Sequence, residues 1–186
     1  MQESSVGRTS RKLRFCLGLA VLTVVAVVVL IPTVASGGQS DLAEIRQATA
    51  PFHRVEAAIE AGYELGYVNG AGIRTIAGCI AHPTAGAMGY HYFNKQLIDD
   101  LVVDVLKPEG LVYAPGADGG LKLVAVEYVV PGLASNPPGV SEAPILFGLP
   151  MQILVPAVGF YTRHAWLWGH NPSGMLSHWN PEVTCP

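Results

Sequence analysis

Charge is scarce in this chain, cysteine scarcer, and local catalytic signatures are missing altogether; each shortage removes a class of function. Lys, Arg, Asp and Glu make up 13% of the 186 residues, against about 25% in ordinary soluble domains. Beyond residue 36, seven basic side chains face thirteen acidic ones, a formal charge of −6. An acidic domain without a basic stripe lacks the electrostatic footprint of a nucleic-acid binder, and it offers no polybasic patch to anionic lipid. No HExxH, GxSxG, P-loop or EF-hand spacing occurs, which leaves no local motif to name a reaction. The fragment Gly70-Ala71-Gly72 lacks the third glycine and the preceding strand of a dinucleotide loop. Internal repeats and low-complexity tracts are absent as well.

What the chain does have is an address. Arg8, Arg11, Lys12 and Arg14 precede an uncharged apolar run over 15–31, closed by Pro32 and the small residues 33–38. A helix of that run would rise about 26 Å at about 1.5 Å per residue, against a bilayer core of about 30 Å. Basic start, apolar core and small-residue exit form an export signal. Residues 1–36 thus read as a signal peptide, cut after Ala35 or Ser36, or as an uncleaved signal anchor. Either version places residues 37–186 outside the cytoplasm as one α+β domain, secreted or tethered. Membrane contact is then confined to the N-terminal segment.

Three cysteines follow from the same reading. Cys16 lies within the apolar run, which leaves Cys79 and Cys185 as an even pair in an oxidising compartment, read as one disulfide. A reactive or metal-binding thiol pair is the alternative, without CxxC spacing or a third thiol to support it.

The periodicity that follows is mixed. Leu42, Ile45, Ala48, Phe52, Val55, Ile59 and Tyr63 recur at helical spacing behind an Asp41 cap, and Pro51 should kink or split that helix. Residues 66–89 read as an irregular crossing and 89–93 as a strand. Asn94 caps a helix over 95–106 with Leu97, Leu101 and Val105 inward. Two β-rich runs, 111–114 and 121–130, flank a turn and form a hairpin. Six prolines between 131 and 158 make a long surface excursion that could cover a site, and a last strand runs over 160–168. The expected architecture is α+β: the N-terminal helix packed on a mainly antiparallel sheet of about four strands.

One residue stands out chemically. Glu127 sits mid-strand in LKLVAVEYVV (121–130), on the face of Leu121, Leu123, Ala125 and Val129 by alternation. A carboxylate there needs a cation, a metal or a hydrogen-bond set. The strand histidines His91 and His164 are the available partners; if the three strands are neighbours, they converge on one face. Two imidazoles and a carboxylate suit a divalent transition metal such as zinc, iron or copper, or an acid–base set acting on a small ligand. The plain alternative is a structural network of Glu127, a histidine and one of Tyr90, Tyr92 or Tyr128. Arg163 points to the opposite face. His82, His170 and His178 read as solvated loop histidines, and Trp166, Trp168 and Trp179 as packing.

The segments GAMGYHYFN (86–94), LKLVAVEYVV (121–130) and HAWLWGHNPSGMLSHWNP (164–181) resemble an uncharacterised family of exported bacterial proteins, over most of the chain after the leader. The resemblance implies an export signal and a Cys79–Cys185 pair, and brings no catalytic or binding assignment. Three functions remain on this reading: an exported protein binding a metal or small ligand through His91, Glu127 and His164, a metal-assisted hydrolase or oxygenase using them, and a non-catalytic envelope module.

Overall fold

His91, Glu127 and His164 lie far apart in sequence, and the order of the strands that carry them decides whether they meet. A computed structural model describes residues 39–186; the apolar run 15–31 and its small-residue exit lie outside the described residues. Among the described residues no helix is long and apolar enough to cross a membrane.

The chain opens with helix α1 (Gln39–Thr49), a 3-10 turn (Ala50–His53) and α2 (Val55–Glu60). The helix is thus split at Pro51, as its missing N–H requires. Four short strands follow, β1 (Tyr63–Leu65), β2 (Tyr67–Val68), β3 (Arg74–Thr75) and β4 (Cys79–His82), then the long β5 (Gly86–Asn94). Helix α3 (Lys95–Asp99) separates β5 from β6 (Gly110–Pro115) and β7 (Leu121–Pro131). After the proline-rich stretch, with β8 (Ile145–Leu146), β9 (Leu149–Pro150) and β10 (Gln152–Ile153), comes β11 (Phe160–Ala165).

The architecture is α+β with an antiparallel main sheet in the order β1-β5-β6-β7-β11-β10, and β4 shares the outer edge of β5 with β1. The sheet has seven strands rather than about four. The difference lies in β1, β4 and β10, runs of two to four residues too short to show a period of two. Two of them fall where the sequence pattern reads as a helix end or an irregular crossing. The C-terminal strand stops at Ala165 rather than 168, because Trp168 and Gly169 turn back to hydrogen-bond the Val124 carbonyl.

The expected helix over 95–106 ends at Asp99. Leu101 takes a left-handed φ of 61°, and the Asp100 and Asp104 carboxylates accept from the N–H groups of Val102 and Leu106. These local turns compete with helical bonding, and Leu101 ends up exposed rather than inward.

Each face of the sheet is covered differently. The helical side buries Ile45 and Ala58 against Leu111, Tyr113, Val126, Tyr128 and Val130. It is pinned by hydroxyls that donate to backbone carbonyls: Tyr63 to Pro108 at 2.8 Å, Tyr113 to Phe52 at 2.7 Å, Tyr128 to Val105 at 2.8 Å. Leu121 and Leu123 join this side, not that of Glu127. A register shift pairs Val112 with Ala125 but Tyr113 with Leu123, and the extra residue reverses the alternation.

The opposite side is closed by the C-terminal segment. Ala87 and Asn180 exchange backbone hydrogen bonds of 3.0 and 3.1 Å, an approach that only glycine at 86 permits: a Cβ there would lie 2.1 Å from the Asn180 oxygen. The Cys79–Cys185 disulfide then ties the last residues to the edge of the sheet across a separation of 106.

Candidate metal centre

Three strands of one sheet deliver His91, Glu127 and His164 to a single buried point. Glu127 on β7 and His164 on β11 are direct cross-strand partners, so their side chains share a face. His91 comes from β5, on the far side of β6, where Val112 stands opposite it. Gly110 of β6 stands between Phe93 and Glu127 in the register. A Cβ at 110 would lie 3.0 Å from the Phe93 ring and 3.1 Å from Glu127 Cβ, so the missing side chain lets β5 and β7 groups close over the intervening strand.

All three residues are buried, at 2%, 4% and 0% exposure. His91 Nε2 lies 3.2 Å from His164 Nε2 and 3.4 Å from Glu127 Oε2. Around a tetrahedral ion with bonds of about 2.0–2.1 Å, neighbouring donors sit about 3.3–3.4 Å apart; the two contacts of His91 Nε2 are close to that spacing, while Glu127 Oε1 approaches His164 through Nδ1 at 3.8 Å. One potential donor atom from each residue falls within 4.8 Å of the others.

The His91–His164 contact leaves two atoms of the cluster without a hydrogen bond. His91 Nδ1 and Glu127 Oε2 are buried without a partner among the described residues, where an unsatisfied polar group costs about 1–3 kcal/mol. The structural network with a tyrosine is not formed by Tyr128, whose hydroxyl is spent on Val105 across the sheet.

Burial also sets the protonation states. It lowers His91 to about 4, partly opposed by the Gly89 backbone. His164 is driven well below its ordinary value by burial, then by His91, His178 and Arg163. Glu127 is raised to about 8, by burial first and the charge of Glu109 second. The 3.4 Å contact of His91 with Glu127 is therefore one between largely neutral groups at neutral pH. Both imidazoles keep a lone pair for a metal, and a bound dication would hold Glu127 as carboxylate.

His178, expected as a solvated loop residue, belongs to the cluster. Its Nδ1 lies 3.3 Å from His164 Nδ1, and its Nε2 lies 3.0 Å from Gln152 Oε1. It can therefore fix the tautomer and ring orientation of His164 from behind. Neither His82 nor His170 takes part: His82 is exposed beside Trp179, and His170 is exposed beside Glu182 at 3.2 Å. Arg163 bonds the Pro150 carbonyl on the other face.

A second buried carboxylate gives no signal in the sequence. Glu109, fully buried, accepts the Val129 N–H at 2.9 Å through Oε2, while Oε1 has no partner among the described residues. It serves the β7 ladder from a position just before β6, and burial raises it to about 8.

His91 and Glu127, but not His164, form part of the wall of a cavity of about 80 Å³. Leu154, Val155 and Val158 of the proline-rich excursion line it too, so that segment forms one wall of the cavity. No family model, curated protein or solved structure matches the chain.

Proposed function

We propose that the domain is an extracytoplasmic binding protein for a divalent transition metal, held by Nε2 of His91, Nε2 of His164 and the carboxylate of Glu127. The observation that carries this reading is the convergence of three buried donor residues within 4.8 Å of one another, with His91 Nε2 3.2 Å from His164 Nε2 and 3.4 Å from Glu127 Oε2, an oxygen that makes no hydrogen bond among the described residues. A purely structural trio would be expected to satisfy its own polar atoms. The Cys79–Cys185 bond is compatible with the exported location.

Two imidazoles and one carboxylate with a free position are also the donor set of zinc hydrolases and of iron oxygenases. A metal-assisted enzyme is therefore the second reading, favoured by the cavity that opens onto two of these residues, His91 and Glu127.

Metal analysis of purified, zinc-equilibrated protein tests the proposal. One equivalent in wild type, lost in folded His164→Ala and Glu127→Gln, supports it. Equal metal in all three proteins, or none in wild type, sinks it.

A further inference from the structure

Resting on the metal-binding reading, we infer that the cavity beside the cluster receives a short aliphatic monocarboxylate, its head group on the metal and its chain among the apolar walls. Apart from His91, Glu127, Thr162 and the indole N–H of Trp179, the lining of the cavity is apolar, with Met88, Phe93, Val129 and Phe160 among its residues. The Thr162 hydroxyl already faces the Gln152 carbonyl at 3.4 Å, which leaves the His/Glu end as the one strongly polar wall. There Glu127 Oε2 is buried 3.4 Å from His91 Nε2 and makes no hydrogen bond among the described residues, so polarity is concentrated at one pole of a hydrocarbon-lined space. A volume of about 80 Å³ compares with roughly 10–15 Å³ for one water, room for a chain of a few carbons. Val155, 46% exposed, puts one wall at the surface and gives the ligand a way in.

Charge selects the head group. A dication with two neutral imidazoles and one carboxylate leaves a net +1 in a dry, apolar site, which is costly unless compensated. Arg163 adds a further cation whose field reaches His164 and His178. A monoanion brings the metal site to neutrality. An alcohol leaves the charge uncompensated, an amine adds to it, and a dicarboxylate carries a second charge into walls that have no partner for it.

Calorimetric titration of zinc-loaded wild type with hexanoate, hexanol and hexylamine tests this. Hexanoate should bind with a negative heat-capacity change, at least about tenfold more tightly than hexanol, and chelation of the zinc should abolish that preference. Val158→Trp, which fills the cavity, should keep its zinc and lose hexanoate. Equal affinity for hexanol, or no hexanoate binding to zinc-loaded wild type, overturns the inference while the metal site stands. If wild type takes up no zinc, the metal reading falls and takes this one with it. The head-group comparison uses wild type alone, so its outcome does not depend on how the variant folds.

Discussion

Glu127 and His164 stand directly opposite each other in the β7–β11 register. Because side chains alternate with a period of two, a slip of one residue would send one of them to the helical face. The relative placement of these two side chains is therefore fixed by strand register, not by a loop.

Gly110 should be intolerant of a side chain. Its Cβ would press on Phe93 and Glu127 at 3.0 and 3.1 Å, and overpacking of this kind costs about 1–3 kcal/mol. Gly110→Ala should lower the urea midpoint and weaken zinc binding together. An unchanged midpoint with unchanged zinc affinity would remove the crossing role given to this glycine.

His178 should act through His164. His178→Ala leaves the three proposed ligands in place but removes the group 3.3 Å behind His164 Nδ1. Loss of such a partner weakens a metal site about 10–100-fold. A competition titration against a chelator should show that drop with one equivalent still bound; an unchanged affinity rejects the orienting role.

Glu109 gives the metal-free protein a pH dependence of definite sign. Its carboxyl is raised from 4.5 to about 8 by burial, so folding favours the protonated form. The stability linked to it is complete below 4.5 and is lost as pH rises from there to about 8, by at most about 1.4 kcal/mol per unit. Urea unfolding of chelator-treated protein should show Glu109→Gln losing less stability than wild type between pH 5 and 8. A slope identical to wild type would show that Glu109 does not titrate there.

The Cys79–Cys185 bond should stabilise the fold and hold the tail that carries His178. It spans 106 residues, and a loop of about 100 residues contributes about 4.7 kcal/mol in the chain-entropy model. The Cys79→Ala, Cys185→Ala double variant should unfold at markedly lower urea and bind zinc less tightly. Unchanged unfolding would mean that the tail is held by its backbone bridge alone.

The legibility of the site followed from cost. His91, Glu127 and His164 interrupt apolar strands, and a polar residue inside such a strand needs a reason that can be sought from sequence. Their shared face was readable from alternation, although the bulge near Val124 moved Leu121 and Leu123 to the other side. His178 gave no such signal. It sits in a tail without periodicity, placed by the Ala87–Asn180 bridge and the disulfide, both long-range. Glu109 was equally silent, since it follows Pro108 in a turn and its burial depends on where β6 begins relative to β7. The helix over 95–106 failed for a local reason, the competing turns at Asp100 and Asp104.

X-ray absorption at the zinc edge of zinc-loaded protein tests the central claim most directly. The expected spectrum shows four nitrogen or oxygen neighbours at about 2.0–2.1 Å, with the outer-shell signature of two imidazoles, reduced to one in His91→Ala. A shell containing sulfur, six oxygen neighbours, or no imidazole signature would contradict a centre built from His91, Glu127 and His164.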